Sequence, residues 1–192
     1  MYILAIETTG AFASVALMKD DKIIGHVSGN DRFSHLQNLM PQVETVIKEN
    51  KLSIGDIDLI AVSNGPGSFT GIRIGVSTAR ALSQILDIPC VAVPSLDALA
   101  LRGAEHAKGD ILICPMLDAR RMEVYTASYM PRECKRIKEV EALVVDEHSF
   151  EAELMEQPVF FFGNGAEKCK AVLTHSNAHF VDGIVIQAKS YR

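Results

Sequence analysis

The 192-residue chain is 48% apolar and only 22% charged, which describes a compact globular protein with a real core and excludes a disordered one. Its formal net charge of −5 argues against nucleic-acid binding on its own account, because neutralising phosphates needs a basic surface. Cys90, Cys114, Cys134 and Cys169 lie far apart, without a Cys-x-x-Cys pair. They read as reduced thiols rather than a disulfide framework or a zinc site. The first apolar run, residues 2–6, is too short for a signal peptide or a membrane span, and the expected location is the cytosol.

In chain order, residues 2–6 form a continuous apolar run, the pattern of a strand buried on both faces. Residues 14–18 and 23–27 read as two further strands, with Asp20-Asp21 turning between them. Phe33, Leu36, Met40, Val43 and Ile47 recur at steps of three and four, which predicts a helix over 33–48; Leu39 and Val46 widen its stripe. Residues 58–62 make another buried strand, followed by the turn Gly65-Pro66-Gly67 and a helix over 70–86. A strand at 89–93 leads to a short helix that Ser95 can cap, ending near 102. The first half therefore reads βββαβαβα.

The second half repeats the order. Residues 111–117 and 123–129 predict a hairpin around Asp118-Ala119-Arg120-Arg121, with a third strand near 137–145. A short helix at 149–155, a strand at 159–162 and a helix over 166–173 follow. Two βββαβα units in tandem predict an α/β protein with duplicated actin-like (ribonuclease H-like) lobes, mixed sheets flanked by helices. The expected lobes are 1–105 and 106–192, with the boundary in 103–110. By analogy with the actin, sugar kinase and Hsp70 superfamily, the turns after each lobe's first strand, at Glu7 and at Asp118, would face a nucleotide cleft; fold alone does not make that a function.

The run Gly65-Pro66-Gly67 follows a strand and opens a helix, so its backbone N–H groups suit either an anion or a tight capped turn. No Gly-Lys-Ser/Thr ending follows, so it is not a P-loop. Beyond it, Gly71, Gly75, Ala79 and Ser83 fall every four residues and leave one helix face nearly smooth. That face suits a partner helix or the lobe's own sheet, with Ile72, Val76 and Leu82 supplying a second face. His175 and His179 have the spacing of two ligands on a helix, but Ser176-Asn177 reads as a turn, so no metal site is expected. No His/Cys/Asp constellation for nucleophilic catalysis stands out.

Four stretches carry a resemblance to a known family: Ile3-Leu4-Ala5-Ile6-Glu7-Thr8-Thr9, the run from Gly65 through Gly71 and Arg73 to Gly75, Ser95-Leu96-Asp97-Ala98-Leu99-Ala100, and 117–125. They resemble the TsaB (YeaZ) family. That resemblance implies a non-catalytic subunit of the bacterial machinery that makes N6-threonylcarbamoyladenosine in tRNAs reading ANN codons. In such a machine the paralogue TsaD transfers the threonylcarbamoyl group, TsaB pairs with TsaD, and the ATPase TsaE joins them. The tRNA is then reached only through the complex, no cofactor or metal of the chain's own is expected, and no membrane is involved.

The resemblance also implies an interface built from the two helices: Phe33, His35, Leu36, Leu39, Met40 and Val43 from the first, and Gly71, Ile72, Arg73, Gly75, Val76 and Ala79 from the second. The same face would allow a homodimer when TsaD is absent. TsaD carries a metal-binding His-x-x-x-His on its corresponding helix, whereas position 39 here is leucine, so His35 reads as a capping or solvent-facing residue. Thr8, Thr9 and Gly10 are the candidates for a phosphate turn, but Glu7 stands where the superfamily places Asp. The second turn lacks glycine, and its Arg120 and Arg121 are expected to pair with acidic neighbours. Autonomous ATP hydrolysis is therefore not expected. The alternative reading is an actin-like ATP-dependent small-molecule kinase. TsaB-like chains run on with a helix returning toward the first lobe, so this chain, ending at Arg192, is expected to lack it.

Overall fold

The structure, a computed structural model, describes residues 1–29, 35–107, 109 and 111–191; Phe33 lies outside them. The chain forms two compact units, Met1–Ser95 with Ile186–Arg192, and Leu96–Val185. The division falls at the start of the helix that Ser95 opens, ahead of the 103–110 boundary read from the sequence. The last residues belong to the first unit rather than to the second half.

In the first unit, β1 (Tyr2–Glu7), β2 (Ser14–Lys19) and β3 (Lys22–Ser28) form an antiparallel meander. After α1 (His35–Glu49), β4 (Leu59–Ser63) pairs parallel with β1. After α2 (Phe69–Leu86), β5 (Cys90–Val93) pairs parallel with β4. The sheet order is β3-β2-β1-β4-β5, with Ala5 opposite Ala16 on one side and Ala61 on the other. A central strand covered on both faces needs a continuous apolar run, and Leu4, Ala5 and Ile6 are wholly buried. They pack with Val15 and Leu17 of β2, Leu39, Val43 and Val46 of α1, and Ala79 of α2.

The second unit takes up α3 (Ser95–Ala104) from Leu96 onward and then repeats the sheet. β6 (Leu112–Asp118), β7 (Glu123–Met130) and β8 (Lys135–Val144) form a meander; α4 (Glu151–Glu156) leads to β9 (Val159–Phe162), parallel to β6, and β10 (Ala178–Val181) is parallel to β9. The order β8-β7-β6-β9-β10 reproduces that of the first sheet strand for strand. This duplicated mixed-sheet architecture is the one the element order predicts.

Two elements differ from the sequence reading. Residues 166–173 do not form an α-helix; only Glu167–Cys169 makes a 3₁₀ turn. Cys169, Lys170 and Val172 donate to carbonyls three residues back, and so short a segment with β-branched Val172 and Thr174 nearby cannot sustain an α-helical nucleus. The sequence reading also missed β10, which is the counterpart of β5.

Candidate functional site

The turn after β1 is built around Glu7, whose side chain is wholly buried. Its Oε1 accepts from the Thr9 amide, from Thr9 Oγ1 (2.6 Å) and from the Gly10 amide (3.2 Å). Its Oε2 accepts from the hydroxyl of Tyr191 (2.8 Å), which also lies 3.0 Å from the Ile6 carbonyl oxygen. The single phenol proton goes to the nearer, charged acceptor. Burial, and then the charge of Glu7, push the Tyr191 phenol well above its ordinary pKa, so it stays a donor. The polar chain continues: Ser95 Oγ donates to Thr9 Oγ1 (3.2 Å), and Ser63 Oγ lies 2.7 Å from Ser95 Oγ. A buried carboxylate is tolerable only when its lone pairs are met, and here four donors meet them.

The phosphate candidates are thus already engaged. Thr9 and Gly10 give their donors to Glu7, and Thr8 Oγ1 donates to the Gly71 carbonyl (2.8 Å). The glycine run is stitched to the same turn. The Gly65–Pro66 peptide is cis, the Gly65 carbonyl accepts from the Ser95 amide (2.8 Å), and the Ser68 amide donates to the Thr9 carbonyl (2.9 Å). Ser68 caps α2, its Oγ accepting from the Gly71 amide at 3.2 Å. So the N–H groups of Ser68 and Gly71 are spoken for, and the capped-turn reading of this run describes what the structure shows.

The smooth face of α2 turns inward. Gly71, Gly75 and Ala79 are the buried residues of the helix. A β-carbon at Gly71 would overlap the Thr8 carbonyl, and one at Gly75 would overlap Thr8 Oγ1. These three residues therefore pack within their own unit, which corrects their assignment to a partner face. Leu39 and Val43 are likewise in the core. His35 is also buried, not solvent-facing: its Nε2–H donates to the Gly10 carbonyl (3.1 Å), and burial lowers its pKa against the opposing pull of that carbonyl and of Glu7.

Among the mostly polar residues that α1 and α2 expose, a few near the helix starts are large and apolar. Leu36 is 76% exposed and Met40 42% on α1, and Phe69 is 72% exposed on α2, with the Arg73 guanidinium 5.1 Å above its ring. Ile72 and Val76 of α2 are half-buried, and α1 touches α2. Of the expected interface residues that the structure describes, Leu36, Met40, Ile72, Arg73 and Val76 remain accessible to a partner. Phe69 joins them; the sequence reading began the helix at Thr70 and so left out a residue that shares the face of Ile72 and Val76.

In the second unit the turn after β6 is closed differently. Asp118 pairs with Lys168, whose ammonium also donates to the Glu123 carbonyl (2.7 Å), and Asn164 Oδ1 accepts from the Asp118 amide (3.1 Å). Among the described residues Arg120 and Arg121 form no ion pair, contrary to expectation; both have positive φ and are exposed. His175 accepts from the Asn177 amide in a turn while His179 lies on β10, so the two do not share a helix face. No group of three His, Cys, Asp or Glu able to hold a metal occurs among the described residues, nor any helix long and apolar enough to cross a membrane. A groove of about 630 Å³ runs along α2 and β5, lined by Val62, Val76, Arg80, Ser83, Cys90 and Ala92; the 7–10 turn takes no part in it.

Comparison with known proteins agrees with this architecture. The family described as TsaD, tRNA N6-adenosine threonylcarbamoyltransferase, matches residues 31–190. The tRNA threonylcarbamoyladenosine biosynthesis protein TsaB of Bacillus subtilis (strain 168) is 35% identical over 179 residues, 90% of this chain and 75% of that protein. The protein of the same name from Escherichia coli (strain K12) is 37% identical over 129 residues, 67% of this chain but only 55% of that protein's length. The structure of YeaZ from Pseudomonas aeruginosa superposes with a TM-score of 0.82 at 25% identity, over 98% of this chain and 87% of that one. With its duplicated sheets, its serine-capped α2 behind the glycine turn and this likeness over nine-tenths of its length, the chain belongs to the TsaB (YeaZ) family.

Proposed function

We propose that this chain is a docking subunit of the machinery that makes N6-threonylcarbamoyladenosine in tRNA, and that it has no catalytic centre of its own. It binds and activates the TsaD paralogue, TsaE joins the assembly, and tRNA is reached only through them. The observation that carries this reading is the contrast between the two faces of one region. The polar turn that a phosphate would need is closed on itself, with its donors given to Glu7 and Gly71, while α1 exposes Leu36 and Met40 one turn apart and α2, which touches α1, exposes Phe69. Exposed apolar groups rimmed by a cation suit a helical partner face. The same face supports self-association when the partner is missing, and the proposed location is the cytosol.

The competing reading, an ATP-using small-molecule kinase, requires donors that here point at Glu7. A related solved protein carries the description of similarity to a peptidase; no nucleophile–base pair among the described residues supports that chemistry here. Calorimetry separates the readings. The docking account expects a saturable heat on titrating TsaD into this chain, lost in a Leu36→Asp, Met40→Asp double variant. Magnesium-dependent ATP binding with turnover by the isolated chain would instead establish the kinase.

A further inference from the structure

We propose that residues 186–191 act as a strap that sets the order of the α1–α2 docking face through the 7–10 turn; the functional part of this inference rests on the docking reading above. The strap is held at three points in the first unit. The Ala188 amide donates to Ser14 Oγ (2.9 Å) on β2, the Ile186 side chain packs against Gly10, and the Tyr191 hydroxyl donates to Glu7 Oε2 (2.8 Å). Tyr191 is the donor recorded to that oxygen among the described residues. Lifting the strap therefore leaves half of a buried carboxylate unpaired, a state the turn must relieve by rearranging.

The turn in its turn supports the start of both docking helices. The Gly10 carbonyl accepts from His35, the first residue of α1. The Thr9 carbonyl accepts from Ser68, the cap of α2, and Thr8 Oγ1 donates to Gly71 in its first turn. The exposed residues Leu36, Met40, Phe69 and Arg73 all lie within two turns of those supports. An element packed on its neighbours through discrete hydrogen bonds has two arrangements, made or broken, and a ligand that prefers one shifts the other. By linkage, a partner that binds the ordered face also holds the strap down.

The test is hydrogen–deuterium exchange on the isolated chain, comparing the native protein with Tyr191→Phe, which keeps the ring and removes the hydroxyl, and with Ser14→Ala, which releases one hold on the strap and leaves all four hydrogen bonds to Glu7 in place. Both variants are expected to speed exchange at Thr9, Gly10, Ser68 and Gly71 and in the first turns of α1 and α2, Tyr191→Phe by about tenfold, the effect of losing one hydrogen bond to a charged group, and Ser14→Ala by about threefold, because the Ala188–Ser14 bond it removes is a neutral one. Amides of β6 and β9 should not change. Acceleration confined to 186–191 in both variants overturns the strap. In a parallel titration the TsaD paralogue should bind Tyr191→Phe more weakly than native protein, and equal affinities also overturn it. Failure of the paralogue to bind even the native chain counts against the docking reading alone, and the exchange result then decides the strap by itself.

Discussion

Replacing Gly71 by alanine measures how closely α2 lies on the end of β1. The added carbon would overlap the Thr8 carbonyl, a backbone atom that cannot swing aside, so the helix start must move. Overpacking of this kind costs about 1–3 kcal/mol, and a contact with backbone belongs at the upper end. Alanine returns at most about 1 kcal/mol through helix propensity, leaving a net loss of about 2 kcal/mol. In a chain of this size that lowers the melting temperature by about 4–8 °C. Gly75→Ala is the internal control. There the overlap is with Thr8 Oγ1, a side-chain atom, which can rotate away and surrender its bond to the Gly71 carbonyl. The loss of about 1 kcal/mol is offset by about 1 kcal/mol of propensity, so little change is expected. Thermal melts followed by circular dichroism compare the two; equal melting temperatures, or a stabilised Gly71→Ala, would refute the inward packing of the small-residue face.

Leu36→Asp, on the exposed face, should leave stability within about 0.5 kcal/mol and weaken docking of TsaD by at least about tenfold, whereas Leu39→Ala in the core should cost about 2–5 kcal/mol; paired denaturation and binding titrations separate them. His35 is buried neutral with its pKa lowered, so its contribution is complete above the unfolded value of about 6.5 and is lost as pH falls below it; urea midpoints should drop between neutral and mildly acid pH in native protein and less so in His35→Gln. Tyr191 and Tyr129 have raised values, the first through burial and Glu7, the second through burial and Asp97. Their stabilisation is intact below the unfolded value of about 10 and declines as pH rises beyond it, and Tyr191→Phe should blunt that alkaline decline.

Local patterns made most of the frame legible. The apolar run of β1, the three-four periodicity of α1 and the capped start of α2 each depend on neighbours in sequence, and the structure has them at nearly the expected residues. Orientation was less accessible. Gly71 and Gly75 at four-residue spacing announce a close approach without saying to what, and the answer, Thr8, lies 63 residues from Gly71. The bond between Tyr191 and Glu7 spans 184 residues, so no local signal marks the tyrosine. β10 was missed because Ala178-His179-Phe180-Val181 is four residues long and follows a Ser-Asn turn; its place as the repeat of β5 was the available clue. The helix expected over 166–173 failed for the converse reason, a plausible apolar spacing in a segment too short to carry it.

The most direct test of the central claim is the rate of tRNA modification reconstituted from the other purified proteins of the machinery, TsaD and TsaE among them, with and without this chain. The docking account predicts that modification is slow without the chain, rises as it is added toward saturation, and is not restored by the Leu36→Asp, Met40→Asp variant. Modification equally fast in its absence would contradict the account.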